Sequence, residues 1–207
     1  DWLTLPIENE GQKQASWRTD PSKAGMGGSI GDIGSHAFNL ADFITGAKLT
    51  ELCADISSFV EGRKNDDNAH VLLRYENGVK GMLWSSQVAP GNENALKIRI
   101  YGDKGGLEWE QENPNYSILD IYGSPKQTIR RSGFGTLDTA NRVTRIPPGH
   151  PEGYLEGFAN LYSDFAEQIN AKKEKRDPDP QSLLVPNISD GIKGVKFIST
   201  VVESSTK

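Results

Sequence analysis

The chain has 207 residues, of which 23 are Lys or Arg and 28 are Asp or Glu, so its net charge is −5. This length suits one well-buried domain, and the acidic balance excludes the basic footprint of a nucleic-acid binder. No apolar run approaches the roughly 20 residues that cross a bilayer. We therefore expect one soluble, cytoplasmic domain without nucleic-acid or membrane partners.

The first residues predict a strand followed by a long loop. Residues 1–10 are apolar enough for a strand, whereas residues 11–31 are polar and Gly-rich. The chain starts at Asp1 without Met and without the charged and apolar regions of a leader peptide. We therefore expect that a further segment of the protein precedes residue 1.

A helix is predicted next, because apolar residues recur at helical spacing and Gly46 supplies a stop signal. Its core face should be centred on Ile33. The apolar positions are Ile33, Ala37, Leu40, Ala41 and Ile44.

The middle of the chain predicts strands joined by hairpins. The predicted strands are residues 49–56, 69–75, 79–86, 96–101, 106–110, 117–122 and 126–131. Turn-forming residues, Asn77-Gly78 among them, separate two pairs. The single cysteine, Cys53, excludes an internal disulfide and should be a small buried side chain in the first of these strands. Together these patterns predict an α+β fold with one large, mainly antiparallel sheet and helices packed on one face.

The C-terminal third predicts two more helices after an irregular stretch over residues 132–151. The clearest amphipathic helix carries apolar side chains at helical spacing. They are Tyr154, Phe158, Leu161, Tyr162, Phe165 and Ile169. A charged loop over residues 172–179 and a last helix over about 189–203 should follow.

The Gly-rich residues 25–31 suggest a phosphate-binding loop, but such a loop needs a buried strand before it. Residues 16–22 do not form that strand pattern. The alternative is the start of a helix whose backbone closely approaches a neighbouring segment.

Asp32 and His36 lie four residues apart on the predicted helix, so their side chains share one stripe. They fit a catalytic pair, because histidine is a common general base near neutral pH. By spacing alone, such a pair is more often a helix N-cap and an ordinary surface or core histidine, and Asp32 near the first turn would stabilise the helix dipole in either case.

Other candidates are weaker. Arg18 beside Trp17 could clamp a hydroxylated or anionic ligand against an indole face, or could form a surface ion pair beside a core anchor. His150 lies where a loop meets a helix, close to Tyr154. A metal site is not expected, because a metal needs three or four convergent ligands. A hydrolase ranks last, since no Ser or Cys nucleophile with an oriented base is evident.

The order of motifs resembles the C-terminal domain of the glucose-fructose oxidoreductase, inositol dehydrogenase and MocA family. The resemblance rests on QKQASWRTDP at residues 12–21, GGSIGDIGSH at 27–36, NALKIRIYGDKGGLEW at 94–109 and HPEGYLEGFAN at 150–160. It spans nearly the whole chain. It implies a single substrate-side domain over residues 1–207, an N-terminal Rossmann domain upstream that binds NAD or NADP, and a homo-oligomer formed through the open sheet.

The resemblance also implies roles for individual residues. His36 would exchange the proton of the substrate hydroxyl, and Asp32 would orient it or bind the adjacent hydroxyl. Lys13, Trp17, Arg18, His150 and Tyr154 would contact a sugar or polyol. The cofactor-binding residues would lie mainly in the upstream domain, so this chain alone should bind no cofactor and be inactive. The alternative is a non-catalytic sugar-binding or oligomerisation module of the same fold.

Overall fold

A computed structural model describes residues 16–206 of the chain. The strand predicted for residues 1–10 and the candidate residue Lys13 lie outside this range. The described chain divides into two compact units, one of residues 16–94 and 188–206 and the other of residues 95–187. Within residues 16–206, no helix combines the length and the apolar composition needed to cross a membrane.

The elements follow the predicted order. The α-helices are α1 (Pro21–Ala24), α2 (Ser35–Thr45), α3 (Asp138–Arg142), α4 (Tyr154–Glu174) and α5 (Ile188–Ser205). The strands are β1 (Leu49–Ser57), β2 (Asn68–Tyr75), β3 (Lys80–Ser86), β4 (Lys97–Tyr101), β5 (Gly105–Glu110), β6 (Tyr116–Ile121) and β7 (Gln127–Arg130). One π-helical turn, Ile30–Gly34, precedes α2, and short 3-10 helices occupy Ser16–Thr19, Glu76–Gly78 and Pro180–Leu184.

The seven predicted strands are all present and shifted by no more than about two residues, which is the usual uncertainty of element ends. The predicted turn between β2 and β3 is also confirmed. Asn77 and Gly78 have φ values of 61° and 78°, as a tight hairpin turn requires.

Every pairing among β1–β7 is antiparallel, so the predicted α+β class is confirmed. The described strands form a three-stranded sheet, β1-β2-β3, and a four-stranded sheet, β4-β5-β6-β7, rather than the one large sheet expected. The division falls at residues 87–96, where turns and bends replace extended chain between β3 and β4.

The core of the first unit lies on one face of its sheet. Val71 and Leu73 of β2 pack with Phe38 of α2 and Phe197 of α5, and the two phenylalanine rings stack with their centroids 4.3 Å apart. The buried face of this helical segment lies one position away from the face predicted around Ile33. Ile30, Gly34 and Phe38 are the buried residues, whereas Ile33 is only partly buried.

The π-turn Ile30–Gly34 interrupts the regular helical spacing at Ile33, on which the predicted face was centred. The backbone N–H of Ser35 donates to the carbonyl of Ile30, five residues earlier, so one turn holds more residues than an α-helix does. A pattern read at 3.6 residues per turn therefore loses its phase across this segment.

The prediction that Cys53 is buried is wrong, because Cys53 is exposed in β1. Successive side chains of a strand point to opposite faces. Leu52 and Ala54 pack against the core, whereas Cys53 shares the outer face with Glu51 and Asp55. The apolar neighbours of Cys53 in the sequence thus indicated the wrong face.

In the second unit, the predicted irregular stretch contains the short helix α3, and α4 continues through Lys172 and Lys173, which were predicted as loop. The helix stops at Lys175, which adopts a left-handed conformation with φ of 55°. The apolar face of α4 is present as predicted but exposed, and Tyr162 retains 72% of its accessible surface.

Candidate active site

The Gly-rich segment before the π-turn is fixed by a buried carboxylate. Asp66, only 5% exposed, accepts the backbone N–H of Gly28 at 2.6 Å and that of Ile30 at 2.8 Å. The backbone N–H of Ser29 donates to the carbonyl of Asp66 at 2.8 Å. The amides that a phosphate would need are thus already satisfied within the protein, which confirms the predicted close backbone approach and excludes a phosphate loop here.

Burial raises the pKa of the Asp66 carboxyl, and the hydrogen bonds from the amides of Ile30 and Gly28 act in the opposite direction. Asp66 therefore holds the Gly-rich segment through hydrogen bonds from backbone amides rather than through an ion pair with a cation. The shape of the loop is therefore set by main-chain geometry.

Two glycines in this segment allow the π-turn to pack against the sheet. A Cβ at Gly28 would lie 2.0 Å from the carbonyl oxygen of Asp66, and one at Gly34 would lie 2.5 Å from Cδ1 of Ile30. The Ser29 hydroxyl lies 3.1 Å from the Ser85 hydroxyl of β3, within hydrogen-bond distance. The start of α2 is thereby fixed to β3.

The carboxylate of Asp32, within the π-turn, is held by two side chains from different segments. Arg18 donates from Nε to Oδ2 at 3.1 Å and from Nη2 to Oδ1 at 3.3 Å. Gln87 donates from Nε2 to Oδ2 at 3.3 Å. The guanidinium of Arg18 also lies 4.7 Å from the ring centroid of Trp17, a cation–π distance. Asp32 is therefore an oriented, charge-paired acceptor.

His36 occupies the first turn of α2 and is exposed. No hydrogen bond or ion pair joins its side chain to any other residue between 16 and 206. Asp32 is bonded to Arg18 and Gln87, and no hydrogen bond joins it to His36. Their joint action remains a prediction.

The other candidates are distributed between the two units. Trp17 is 42% exposed and can offer a face of its indole ring. His150 and Tyr154 belong to the second unit, where His150 is exposed and its carbonyl accepts Nη2 of Arg131 at 2.6 Å. Tyr154 begins α4, and its ring centroid lies 4.9 Å from that of Phe158.

Three buried residues that shape this site were not among the predicted site residues: Asp66, Asp67 and Gln87. Asp67 accepts the backbone N–H groups of Phe59 and Val60, and its carbonyl accepts the backbone N–H of Gln87. Asp and Asn side chains commonly bind nearby backbone groups where an element begins, so residues 65–68 did carry a signal. Gln87 had no local signal, because its partner is distant in the sequence.

Among residues 16–206, no group of three or more His, Cys, Asp or Glu side chains could hold a metal ion. The Gly-rich amides bind Asp66, so this segment does not fit a nicotinamide dinucleotide's pyrophosphate either. The site offers three kinds of chemical group: the oriented carboxylate of Asp32, the guanidinium of Arg18 beside the ring of Trp17, and the exposed imidazole of His36.

The chain matches the family model of the GFO/IDH/MocA C-terminal domain over residues 4–108. Among curated proteins, it is 36% identical to the oxidoreductase YfiI of Bacillus subtilis over 96% of this chain and 52% of that protein. The chain spans about half the length of the curated relatives it matches.

Solved structures of oxidoreductases also resemble this chain. An oxidoreductase from Sinorhizobium meliloti is 54% identical, with a TM-score of 0.82 over 86% of this chain and 50% of that chain. An inositol dehydrogenase homolog from Azotobacter vinelandii, solved with NADH and myo-inositol, is 32% identical, with a TM-score of 0.83 over 93% of this chain and 50% of that one. With its ordered motifs, its α+β fold and these matches, the chain belongs to the GFO/IDH/MocA family of oxidoreductases and corresponds to the C-terminal domain.

Proposed function

We propose that this chain is the substrate-side domain of an NAD(P)-dependent oxidoreductase that transfers hydride between the cofactor and a sugar or polyol. The observation that carries the proposal is the Asp32 carboxylate, oriented by Arg18 and Gln87 and followed four residues later by the exposed His36. Oxidation of a secondary alcohol requires a base for the hydroxyl proton, and histidine exchanges protons near neutral pH.

In this proposal His36 takes the proton of the hydroxyl that is oxidised, and returns it in the reverse reaction. Asp32 accepts a hydrogen bond from the neighbouring hydroxyl. A sugar or polyol suits the pair because it presents adjacent hydroxyls. Trp17 and Arg18 lie next to this carboxylate and form one wall of the site. Lys13, His150 and Tyr154 stay predicted substrate contacts.

The hydride acceptor is assigned to an N-terminal Rossmann domain, so NAD or NADP is bound by the full-length protein and not by this chain alone. Two findings support the assignment: the chain spans about half of its relatives, and the Azotobacter vinelandii homolog was solved with NADH and myo-inositol. Both compact units then belong to one substrate-side domain over residues 1–207.

The full-length protein, assayed with NAD⁺ and NADP⁺ against a panel of polyols and sugars, should reduce at least one cofactor with at least one substrate. The 207-residue chain assayed in parallel should show no turnover. Turnover by the chain alone would contradict the assignment of the cofactor. A full-length protein that binds polyols but turns none over would instead support the alternative, a non-catalytic sugar-binding or oligomerisation module.

A homo-oligomer through the outer face of the first sheet is a further part of the proposal. The face lies opposite the core and is apolar at its centre, where Cys53, Leu72 and Met82 are neighbours on adjacent strands. Leu72 is 61% exposed, Met82 80% and Trp84 57%. Exposed apolar patches of this kind commonly mark protein interfaces.

A charge at the centre of this face should weaken the oligomer. We expect Met82→Glu to lower the molar mass of the full-length protein measured by light scattering, because a carboxylate would be buried without a partner. Phe59→Glu is the matched control, since Phe59 is 70% exposed but lies outside the strands. In the wild type, Cys53 should react with a thiol reagent more slowly than in Met82→Glu. Equal masses and equal Cys53 rates in all three proteins would contradict the proposed interface.

A further inference from the structure

Gln87 is a nearly buried amide at the point where β3 ends, and only 4% of its surface is exposed. Its backbone N–H donates to the carbonyl of Asp67 at 2.7 Å, and its side chain donates to Oδ2 of Asp32 at 3.3 Å. Asp67 is itself fully buried and bonded to the backbone at Phe59 and Val60. Gln87 is therefore anchored to the sheet on one side and reaches Asp32 on the other.

The hydrogen bonds to Asp32 are distributed unevenly between its two carboxylate oxygens. Within residues 16–206, Oδ2 accepts two donors, Nε of Arg18 and Nε2 of Gln87, whereas Oδ1 accepts one, Nη2 of Arg18. Each carboxylate oxygen has about two acceptor sites. Oδ2 is thus saturated, and Oδ1 keeps one acceptor site for a hydrogen-bond donor.

We propose that Gln87 is a positioning residue that leaves Oδ1, rather than Oδ2, of the Asp32 carboxylate to accept a hydrogen bond from a substrate hydroxyl. The inference rests on the proposed function, in which Asp32 binds the hydroxyl next to the one oxidised. By occupying the second site of Oδ2, Gln87 prevents the substrate from binding there in another orientation. The orientation in turn decides which carbon of the sugar or polyol presents its hydroxyl to His36.

Arg18 cannot supply this selection alone, because its two nitrogens bond both oxygens of the carboxylate and leave one acceptor site on each. The two donors also have different supports. Arg18 lies in the short helix Ser16–Thr19, whereas Gln87 follows a strand of the sheet. Gln87 thereby links the Asp32 carboxylate to the end of β3.

The test uses Gln87→Met in the full-length protein, a substitution that keeps the length of the side chain and removes the donor. Gln168→Met is the matched control, because Nε2 of Gln168 donates at 2.7 Å to the carbonyl of Ser182 in the second unit. The measurements are the KM and kcat for the best polyol, the dissociation constant of the cofactor, the positions oxidised in the product, and the Asp32 carboxylate in crystal structures.

We expect Gln87→Met to raise KM about tenfold with a smaller change in kcat, since a hydrogen bond to a charged group is lost. It should also yield product oxidised at more than one carbon, with cofactor binding unchanged, and the Asp32 carboxylate should turn in the crystal. Gln168→Met should change none of these. If the wild type were inactive, the proposed function would be wrong. The position of the Asp32 carboxylate in the crystal structures of the wild type and of Gln87→Met would still test this inference. An unmoved Asp32 carboxylate, or the same KM and product in both variants, would overturn it.

Discussion

Replacing His36 with alanine in the full-length protein should lower kcat/KM roughly 10²- to 10⁴-fold, the usual contribution of a positioned general acid or base. Affinity for the nicotinamide cofactor should remain unchanged, because the cofactor is assigned to the other domain. Steady-state kinetics and cofactor fluorescence measure the two quantities separately. His36 is exposed, so its removal leaves no buried cavity and the variant should fold normally.

His70→Ala is the matched control for this variant. His70 belongs to the same unit but lies on the outer face of β2, away from the helices, where its ring faces that of Trp84. Its oligomeric state should be checked, because that face is the proposed interface. A His36→Ala protein with the rate of the wild type would show that His36 is not the acid or base.

Replacing Gly28 with alanine should destabilise the first unit by about 3 kcal/mol, at the upper end of the usual cost of overpacking. The added Cβ would lie 2.0 Å from the carbonyl oxygen of Asp66 and 3.0 Å from Cβ of Asn65. The carbonyl cannot move away without losing its bond to the amide of Ser29. Urea unfolding of the 207-residue chain measures the change in free energy.

Gly31→Ala provides the comparison, because a Cβ at Gly31 would meet nothing within 4 Å. Alanine is favoured over glycine in a helix by roughly 0.5–1 kcal/mol, so this variant should be as stable as the wild type or slightly more so. If both variants unfolded at the same urea concentration, close packing at Gly28 would not be what fixes the segment.

The strands were predictable because their signals are local. Alternating side chains and turn residues such as Asn77-Gly78 specify a hairpin within a few positions. The face on which a strand side chain lies is harder to predict from the sequence. The immediate neighbours of Cys53 are apolar, yet Cys53 shares its exposed face with Glu51 and Asp55, two positions away on either side. The helical phase at Ile33 was lost for a different reason, because a π-turn interrupts the spacing before α2 and the periodicity of the sequence does not signal it.

The candidate site was only partly predictable. Asp32, His36 and Arg18 lie in motifs that resemble a known family, so their residue types could be recognised from the chain alone. The supports of Asp32 could not be, because Gln87 lies 55 positions further along the chain. Asp66 is 38 positions from Gly28, and a contact over that distance leaves no trace in local spacing.

Because of the π-turn, the contacts of Asp32 and Asp66 depend more on the number of residues before α2 than on which exposed side chains that segment carries. Deleting one residue between Ile30 and Ser35 would restore the hydrogen bond of an ordinary α-helix, which joins an N–H to the carbonyl four residues earlier. The chain before the deletion would then rotate by about 100° about the helix axis. The amides of Gly28 and Ile30 would then leave the Asp66 carboxylate, and Asp32 would leave Gln87. The segment can accept a methyl group at Gly31, but the loss of one residue would separate Asp32 from Gln87 and Asp66 from the amides that it binds.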